Sequence, residues 1–445
     1  MHYLSGTVAS PRMEDWLKAA AGARPGHPAI VADDGTATYA ELDAAADRAA
    51  RRMAALGVGE GNRVATSLPA GLAFVELLHA LPRLGAAFVP LDPRVGDAER
   101  RPFVEASRAK LVVDEPPTGE EEDVELAYDH DPASVHSVVF TSGTTGEPVG
   151  VELTHANHLA SARASAANLG VEPGDRWLAP LPLFHVGGLS VLLRSVISAT
   201  TAVSHDGFTP ERVKAALETG DATIVSLVAT MLQRVRAAGL ERAPALRAAL
   251  LGGGPIPPLL LDWADEIGLP AVPSYGMTET ASQIAAAKPG DRCARALRDA
   301  RIRVERSGEI LVQGPMVAEC ALARDGWLHT GDRGRLDADG CLHVEGRMDD
   351  VIVTGGENVV PIRVERALAD HPAVAEVGVV GVPDPDWGEA VTAFVVLSEP
   401  ATDDELIAHT RERVAPQEVP KRIERLEALP RTPLGKLRRR ALADR

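Results

Sequence analysis

The sequence predicts an α/β protein with largely parallel sheets, followed by a small β subdomain and a separate C-terminal unit. The 445 residues are too many for one ordinary domain, and they indicate two or three packed units. Apolar strand segments alternate with helical segments through about the first 300 residues, which is typical of parallel sheets covered by helices. After residue 300 the pattern changes to short strands with turn signals, and past Arg347 it changes again.

Residues 38–56 predict the first long helix. The apolar stripe of this capped amphipathic segment consists of Leu42, Ala45, Ala49, Met53 and Leu56. Downstream, "NRVATSL" predicts a strand, "GLAFVELLHALPRLG" a helix and "AAFVPLD" a further strand. The alternation continues with strands at "KLVVDE", "SVVFTSG" and "ATIVSLV", and with a helix after Thr154. Because ligands of such folds bind beyond the carboxyl ends of strands, we expect the loop after "SVVF" to lie at a binding edge.

The last third of the chain contains two further patterns. "RIRVERSGEILVQGP" and "GCLHVEGR" predict the strands of a β subdomain at about residues 300–346. Beyond it come the strand "DDVIVTGG", a helix around "PIRVERALADH", the strands "VAEVGVVGVP" and "AVTAFVVL", another helix and a basic tail. We therefore place a domain boundary after residue 346, so that residues 1–346 form the N-terminal domain and residues 347–445 the C-terminal domain.

Composition excludes several classes of protein. Apolar residues make up 45% of the chain, which is typical of a globular protein and not of a disordered one. The first 20 residues lack the apolar run of a signal peptide. Residues 178–199 are an apolar stretch of membrane-helix length, but they contain Pro180, Pro182, His185 and Arg194. These residues favour a buried core segment over a membrane span.

The cysteines are few and scattered. Cys293, Cys320 and Cys341 are odd in number and lack C-x-x-C spacing. This pattern argues against a disulfide framework and against a cysteine metal site, and it fits a reducing compartment. We therefore predict a cytoplasmic protein.

Charge is unevenly distributed along the chain. The net charge of −17 argues against a nucleic-acid partner and against an anionic membrane. Residues 420–445 nevertheless hold nine Lys and Arg against three acids, a local charge of +6. This tail is either the solvated face of a basic helix or a segment that closes over a polyanion, and composition leaves both alternatives open. Only six of the 46 basic residues are lysines, so a lysine inside a motif is informative.

Several short motifs are ambiguous when taken singly. "TSGTTG" at residues 141–146 has the composition of a phosphate-binding loop, but it also suits an ordinary turn and lacks the lysine of a P-loop. Tyr275 is either a base-stacking ring or a core aromatic, and Glu279 is either a cation ligand or a helix N-terminal acid. "HTGD" (329–332) presents a carboxylate to ribose hydroxyls or makes an Asp turn. "GRMDD" (346–350) suits an ion-paired turn, and "PRTPLGK" a surface loop.

The ordered set of motifs is far more specific than any one of them. "TSGTTGEP", "LPLFHVGG", "SYGMTE", "WLHTGD", "GRMDDVIVTGGENVVP" and "PRTPLGK" occur in the order of the adenylate-forming superfamily. This superfamily comprises acyl-CoA synthetases, firefly-type luciferases and peptide-synthetase adenylation domains, and the sequence resembles it from residue 38 to residue 440. The resemblance implies a large N-terminal domain of two αβ layers plus a β subdomain, and a small mobile α+β C-terminal domain.

The resemblance also implies an ATP site. It assigns the β- and γ-phosphates to Thr141, Ser142, Gly143, Thr144, Thr145 and Gly146. It assigns the adenine slot to Gly253, Gly254, Pro255 and Tyr275, with Ser274 and Gly276 in the same ATP site. Thr278 is expected to contact the α-phosphate and Glu279 to hold Mg²⁺. Asp332 is expected to accept from both ribose hydroxyls, with Arg347 also reaching the ribose.

The resemblance further implies two mobile elements. Lys436 matches the adenylation lysine, which bridges the carboxylate and the α-phosphate. The chemistry needs such a cation because two anions must meet in line and charge grows in the transition state. Asp349 matches the hinge at which the C-terminal domain rotates once the acyl-adenylate has formed. The rotation is expected to bring Gly355 and Gly356 to the pantetheine channel of CoA.

The exact residues of three motifs indicate which carboxylic acid is the substrate. "LPLFHVGGLSVLLRSVI", "LLGGGPIP" and "SYGMTETASQI" look most like the o-succinylbenzoate–CoA ligases of menaquinone synthesis. That substrate carries two carboxylates, and the one left ionised needs a cation in an apolar pocket. The resemblance supports Arg194 as this cation, His185 as a catalytic gate at the acyl end and Gln283 at the acid site. The alternatives are an interior Arg194 paired with a protein acid and a satisfied core His185.

Two departures from the superfamily pattern stand out. Val149 replaces a lysine that many relatives carry at the end of the phosphate loop, which predicts a higher KM for ATP. "CARALRDARIRV" replaces a Gly-rich segment that many relatives have after "TETASQI".

We predict an ATP-dependent acid–CoA ligase that uses ATP, CoA and Mg²⁺. The alternatives are a ligase for another aryl or aliphatic acid, an adenylation enzyme that loads a carrier protein, and a non-catalytic nucleotide- or acyl-binding relative. Homo-oligomerisation is left open.

Overall fold

The computed structural model describes residues 12–141, 148–431 and 437–445. Every strand and helix that the sequence predicts between residues 38 and 169 is present. In chain order the elements up to residue 169 are β1 (Met13–Glu14), α1 (Trp16–Ala23), β2 (Pro28–Ala32), β3 (Gly35–Thr38), α2 (Tyr39–Ala55), β4 (Arg63–Thr66), α3 (Leu72–Ala80), β5 (Ala87–Pro90), α4 (Asp97–Ser107), β6 (Leu111–Val113), β7 (Asp129–His130), β8 (Val135–Thr141), β9 (Val149–Thr154) and α5 (His155–Leu169).

The alternation continues to residue 296 and then gives way to strands. The elements of this part are β10 (Arg176–Ala179), α6 (Val186–Ile197), β11 (Thr201–Ser204), α7 (Pro210–Thr219), β12 (Ile224–Val228), α8 (Ala229–Ala237), β13 (Ala248–Gly252), α9 (Pro258–Glu266), β14 (Ala271–Met277), β15 (Ser282–Ala286) and β16 (Arg295–Ala296). Those that follow are β17 (Arg301–Val304), β18 (Glu309–Gln313), β19 (Leu328–Leu336), β20 (Leu342–Arg347), β21 (Ile352–Thr354), β22 (Glu357–Val359), α10 (Pro361–Ala369), β23 (Val374–Asp384), β24 (Gly388–Leu397), α11 (Asp403–Arg411), β25 (Arg422–Arg425) and α12 (Arg439–Ala443).

Two large sheets form the N-terminal part. The nine-stranded sheet has the order β16-β15-β14-β13-β12-β10-β11-β2-β3, and the five-stranded sheet the order β6-β4-β5-β8-β9. Pairing is parallel through the centre of both sheets and antiparallel only at their edges, where β2–β3, β8–β9, β14–β15 and β15–β16 pair. The predicted α/β layers with largely parallel sheets are therefore confirmed.

Two smaller sheets follow these, and β1 and β7 pair separately as a two-stranded antiparallel sheet. Strands β17 to β20 form an antiparallel four-stranded sheet, which is the predicted β subdomain. Strands β21 to β25 form a sheet in the order β22-β21-β24-β23, with β25 parallel to β24. The first of these sheets ends at Arg347 and the second begins at Ile352, so the boundary that we place after residue 346 lies one residue before the end of β20 and stays a prediction.

Helix α2 shows how local sequence determines an element. Thr38 caps it with a capping box in which its hydroxyl accepts from the Glu41 N–H and the Glu41 carboxylate accepts from the Thr38 N–H. The predicted stripe is buried at Leu42, Ala45, Ala49 and Met53. The prediction is wrong for Leu56, which is 57% exposed because the helix ends at Ala55 and the chain turns away.

One apolar core joins the two large sheets. Leu17 of α1, Leu42 of α2, Leu78 of α3 and Leu192 of α6 belong to a single cluster of fully buried side chains. Burying each such side chain contributes on the order of 2 kcal/mol, so helices shared between the sheets hold them together. The segment 178–199 comprises the end of β10 and the twelve residues of α6, and it contributes to this core through Leu183, Leu189, Leu192, Leu193 and Val196. Among the described residues no helix has both the length and the apolar character needed to cross a membrane.

The expectation that the cysteines form no disulfide is wrong. Cys293 and Cys341 are joined by a disulfide, with their Cα atoms 5.1 Å apart. The two lie 48 residues apart in sequence, and the Leu342 N–H donates to the Ala294 carbonyl beside them at 2.8 Å. Sequence spacing did not reveal the pair because the β subdomain folds back onto the start of β16. Cys320 is a free, exposed thiol.

Four of the nine basic residues of the tail are paired with acids of the C-terminal unit. Arg422 pairs with Asp384, Arg425 with Asp403, Arg431 with Glu376, and Arg439 with Asp350 and Glu365. Its described residues are helical only over Arg439–Ala443, so the alternative of a solvated basic helix fits little of it. Because four arginines have protein acids as partners, less charge faces outward for a polyanion than composition suggested.

Five histidines pack together in the core where α3, β7, β8 and α5 meet: His79, His130, His136, His155 and His158. The ring centroids of His130 and His155 are 4.7 Å apart, and those of His136 lie 5.0 Å from those of His155 and of His158. His130 also contacts the Asp15 carboxylate at 3.2 Å. Burial lowers the pKa of His79 and His155 to about 4 and that of His158 to about 3.

This cluster makes the folded state sensitive to acid. The folded protein keeps the imidazoles of His79, His155 and His158 neutral, whereas the unfolded chain binds protons below the ordinary histidine pKa of about 6.5. The unfolded state therefore binds more protons between pH 6.5 and about 4. Stability is full above pH 6.5 and is lost as the pH falls through this window.

The substitution His79→Leu should make the protein less sensitive to acid. It removes one imidazole that resists protonation in the folded state, so the slope of the unfolding free energy between pH 6.5 and 4.5 should decrease by up to about 1.4 kcal/mol per pH unit. Urea unfolding at a series of pH values measures this slope. Phe74→Leu replaces another buried ring of α3 that does not titrate, and it should keep the wild-type slope. An unchanged slope in His79→Leu would contradict the expectation.

Candidate active site

The carboxyl ends of β12, β13 and β14 lie side by side, because these three strands are parallel neighbours. Residues 253–255 directly follow β13 at this edge, and residues 274–276 belong to the end of β14. Gly253 has a φ of +77°, a conformation that glycine adopts readily, and a Cβ on Gly254 would meet no atom within 4 Å. The Ser274 hydroxyl donates to the Leu251 carbonyl at 3.0 Å and ties β14 to β13. Two segments predicted for the adenine slot therefore lie together.

A tight turn follows β14 and reverses the chain into β15. Gly276 faces Gln283 across the two strands, and a Cβ at Gly276 would lie 2.8 Å from the Gln283 Cα. Only glycine fits there, which explains the glycine of "SYGMTE". The turn itself is a 3₁₀ helix over Thr278–Thr280, and the buried Gln283 lies opposite it on β15. Thr278, Glu279 and Gln283 are thus held within one short hairpin.

Asp332 is held from two sides. Tyr275 of β14 donates its hydroxyl hydrogen to Asp332 Oδ2 at 2.7 Å. Arg347 of β20 donates to Asp332 Oδ1 at 3.1 Å and to the Thr330 carbonyl at 2.8 Å. Burial, and then the negative charge of Asp332, raise the pKa of Tyr275, so its hydroxyl stays a donor. The predicted adenine and ribose residues therefore meet, although they lie on two different sheets.

The structure decides between the alternatives for two motifs. Asp332 lies inside strand β19, so the interpretation of "HTGD" as a simple Asp turn is wrong. "GRMDD" is an ion-paired turn, because Arg347 pairs with Asp332 and Asp350 with Arg439 around a 3₁₀ helix at Met348–Asp350. This pairing is compatible with a ribose role for Arg347, since its partner Asp332 is the expected ribose acceptor.

Glu279 is the acid available for a cation. Its carboxylate is half-buried at the hairpin turn, and within the described ranges it makes no hydrogen bond or ion pair. The residues that the structure describes also contain no group of three or more His, Cys, Asp and Glu arranged to hold a metal. A single carboxylate suits Mg²⁺, which is commonly held by one or two carboxylates together with substrate phosphates. The donor set therefore fits a magnesium ion that arrives with a nucleotide.

His185 is half-buried at the start of α6 and is not a core histidine. Its ring lies 4.4 Å from that of Phe184, centroid to centroid. A cavity of about 90 Å³ adjoins this point, lined largely by apolar side chains such as Phe74, Leu91 and Leu183, with Arg94 at its side. Arg94 in turn lies over the Phe184 ring, 5.5 Å from its centroid. Residues 181–184, which lead into His185 and α6, therefore form one wall of this cavity.

Arg194 is a buried cation without a carboxylate partner among the residues that the structure describes. Its side chain donates to the Ser161 hydroxyl at 3.0 Å and lies 5.6 Å from the centroid of the Trp177 ring. Its Nε–H has no hydrogen-bond acceptor there. Burial lowers the pKa of Arg194 to about 9. The described residues therefore offer no acid for the alternative of an interior arginine paired with a protein carboxylate.

The predicted phosphate loop connects β8 to β9. Thr141, the last residue of β8, pairs with Val149, the first residue of β9. Val149 is 52% exposed, so its side chain is not needed for the core. Ser142, Gly143, Thr144, Thr145 and Gly146 lie outside the described residues, as does Lys436. Their predicted roles stay predictions.

The predicted hinge and CoA loop are both at the surface. Asp349 is exposed within the turn at Met348–Asp350. Gly355 and Gly356 connect β21 to β22 with φ values of +57° and +84°. A Cβ at Gly355 would lie 3.1 Å from the ring of Trp387, whose carbonyl accepts from the Gly355 N–H at 2.8 Å. Trp387 was not predicted from the sequence as part of this loop. A large aromatic side chain in the turn "PDPDWGE" is unusual, and it could have identified Trp387 as a candidate.

Two family models match the chain. The model for the AMP-binding enzyme matches residues 17–135 and 114–321, which together cover more than half of the chain. The model for the AMP-binding enzyme C-terminal domain matches residues 363–436.

Relatives with assigned names extend the match to nearly full length. The 2-succinylbenzoate–CoA ligase of Bacillus licheniformis is 39% identical and aligns over 96% of this chain and 99% of its own. That of Geobacillus kaustophilus is 41% identical over 97% of both chains. The o-succinylbenzoate CoA synthetase of Bacillus subtilis in complex with the acyl-adenylate OSB-AMP superposes with a TM-score of 0.91 at 36% identity, covering 98% of this chain and 99% of that one. Its complex with ATP and magnesium gives 0.90. The chain therefore belongs to the AMP-binding enzyme family.

Proposed function

We propose that this chain is an ATP-dependent acid–CoA ligase that acts through an acyl-adenylate. In the first step a carboxylate oxygen attacks the α-phosphorus of ATP and releases pyrophosphate. In the second step the CoA thiol attacks the acyl carbon, the thioester forms and AMP leaves with the bonding electrons. The proposal is supported by membership of the AMP-binding enzyme family and by the names of its relatives.

We propose o-succinylbenzoate as the acid, and menaquinone biosynthesis as the pathway. The observation that carries this choice is the buried guanidinium of Arg194, which lacks a carboxylate partner in the described part of the chain. A buried unpaired charge is costly, so a site that keeps one is suited to a ligand that brings the opposite charge. A dicarboxylic acid leaves one carboxylate ionised after adenylation. The Bacillus subtilis synthetase, similar over nearly the full length, binds OSB-AMP.

The nucleotide roles follow from the geometry of the sheet edge. We assign the adenine slot to Tyr275 and to the turn at residues 253–255, because an aromatic face and an open glycine turn suit a flat base. Asp332 accepts from the ribose hydroxyls, and its bonds to Tyr275 and Arg347 orient it for that task. The "TSGTTG" loop holds the outer phosphates, and Thr278 contacts the α-phosphate. A Mg²⁺ ion on Glu279 would neutralise phosphate charge when bound.

Two residues are assigned to the conformational cycle. Lys436 bridges the acid and the α-phosphate in the first step, where two anions must approach each other. Asp349 is the hinge between residues 1–346 and 347–445, and its exposed turn can change backbone angles without disturbing a core. Rotation then brings Gly355 and Gly356 to the pantetheine arm of CoA. His185, beside the cavity at the start of α6, acts as the gate at the acyl end.

We place the reaction in the cytoplasm, where ATP and CoA are both available. The cysteine pattern no longer supports this choice, because Cys293 and Cys341 are joined by a disulfide. The proposal of a cytoplasmic location therefore rests on the substrates alone.

The activity is tested with a panel of acids and acceptors. With ATP and Mg²⁺, o-succinylbenzoate should give the fastest pyrophosphate release, and CoA should convert the product to a thioester. Benzoate and short aliphatic acids serve as monocarboxylate controls, and a phosphopantetheinyl carrier protein serves as the alternative acceptor. Absence of acid-dependent pyrophosphate release would refute the ligase, and faster turnover with a monocarboxylate would refute the choice of acid.

Removing the Tyr275 hydroxyl should weaken nucleotide binding. In Tyr275→Phe the Asp332 carboxylate loses a donor that orients it, so the KM for ATP should rise about tenfold while kcat stays within about twofold. Steady-state kinetics with varied ATP measures both constants. Tyr128→Phe is the matched control, because the Tyr128 hydroxyl also donates to a carboxylate, Asp47, at 3.0 Å but away from this sheet edge. An unchanged KM for ATP in Tyr275→Phe would refute the ribose assignment.

Replacing Arg194 should affect stability and binding in opposite directions. Arg194→Met removes a buried charge that lacks a protein carboxylate, so the free protein should keep or gain stability. The KM for o-succinylbenzoate should rise about thirtyfold, or ~2 kcal/mol, while that for benzoate stays unchanged. Thermal unfolding and kinetics with both acids measure these effects.

The control for this substitution is Arg236→Met. Arg236 lies 5.5 Å from the centroid of the Trp263 ring, as Arg194 does near Trp177, but it is exposed. It should leave both KM values unchanged. Equal increases for o-succinylbenzoate and benzoate in Arg194→Met would show that Arg194 does not bind the second carboxylate.

A further inference from the structure

The residues on the two sides of residues 432–436 are bonded to each other. Arg431 and Leu437 pair as an antiparallel bridge, and the Arg438 N–H donates to the Pro430 carbonyl at 2.9 Å. Leu437 also occupies the space beside Gly378 of β23, where a Cβ would lie 2.7 Å from the Leu437 Cδ2. The residue directly after Lys436 is therefore anchored to the C-terminal sheet.

Arg439 adds a second anchor two residues further on. Its Nε–H donates to Asp350 Oδ2 at 2.9 Å, and one Nη donates to Glu365 Oε2 at 3.0 Å. The other Nη donates to Glu365 Oε1 and to the Val379 carbonyl, the latter at 2.8 Å. The Arg439 side chain is 21% exposed and that of Glu365 only 9%. The guanidinium thus connects α12 to α10, to β23 and to the turn that contains Asp350.

The contact needs an arginine. The guanidinium uses a planar fork on Glu365 and its third nitrogen on Asp350, which a lysine ammonium cannot reproduce. Without this cation the half-buried carboxylate of Asp350 and the buried carboxylate of Glu365 would face each other. Burial raises the pKa of Asp350 and Glu365 adds to the effect, whereas Arg439 opposes it. The cluster is therefore held together by its one cation.

Asp350 directly follows Asp349, the proposed hinge, and Arg439 follows Leu437 by two residues. We propose that Arg439 is a positioning residue for the adenylation step, which holds the segment starting at Leu437 against the exit of the hinge so that both move as one body. This inference rests on the proposed function, which assigns adenylation to Lys436 and rotation to Asp349. The thioester step uses the Gly355–Gly356 turn on another part of the C-terminal sheet, so it does not need this contact.

The test compares the two half-reactions in Arg439→Lys, which keeps the charge and loses the fork. Acid-dependent exchange of pyrophosphate into ATP should fall at least tenfold through kcat, with the KM for ATP unchanged. Thioester formation from supplied acyl-adenylate and CoA should stay within about twofold of the wild type. A merely structural role would lower both rates by the same factor, because both would follow the folded fraction.

Two further variants accompany it. Arg425→Lys is the matched control, since Arg425 pairs with Asp403 and donates to the Ala401 carbonyl at 2.9 Å without contacting the hinge turn. It should leave both half-reactions unchanged. Asp350→Asn breaks the same contact from the other side and should reproduce the loss confined to exchange, which keeps the test decisive if Arg439→Lys does not fold.

Lys436→Ala separates this inference from the proposed function. It should abolish exchange and spare thioester formation. If the wild type shows no acid-dependent exchange, the ligase proposal fails and the inference with it. If Lys436→Ala is selective for exchange but Arg439→Lys and Asp350→Asn lower both half-reactions equally, or neither, the ligase stands and the inference is overturned.

Discussion

The contact on which the site depends is the pair of hydrogen bonds that holds Asp332. Tyr275 brings the edge of the nine-stranded sheet to it, and Arg347 brings the last strand of the β subdomain. Because the donors come from different sheets, the carboxylate stays in place only while the sheets stay packed. Arg347 is also the last residue of β20, directly before the turn at Met348–Asp350 that contains the proposed hinge.

Arg194 presents the opposite situation, a charge that the described protein does not neutralise. Its guanidinium has a serine hydroxyl and an aromatic ring as neighbours, and one of its N–H groups has no acceptor there. A folded protein gains nothing from such a group, since an apolar residue of similar size would be at least as stable. Retaining it is understandable if the ligand supplies the missing carboxylate. In that case Arg194 lowers the folding stability of the free protein and makes the site selective for a dicarboxylic acid.

The sequence predicted the helices and strands well, because each of them depends on residues that are close together in the chain. Strand and helix periods were visible from residue 38 onward, and the change after residue 300 marked the antiparallel sheet. Contacts between distant segments were not visible. The Cys293–Cys341 disulfide, the Tyr275–Asp332 bond and the Arg439 cluster each join residues that only the folded chain brings together. The resemblance named Asp332 and Arg194 as site residues, but not the bonds that orient Asp332 or the lack of a carboxylate partner for Arg194 in the described part.

The account is tested most directly by a crystal structure with a non-hydrolysable analogue of o-succinylbenzoyl-adenylate. It predicts that the free carboxylate of the ligand accepts hydrogen bonds from the Arg194 guanidinium and that the ribose hydroxyls donate to Asp332. A ligand whose free carboxylate points into solvent, with Arg194 still confined to Ser161 and Trp177, would contradict it.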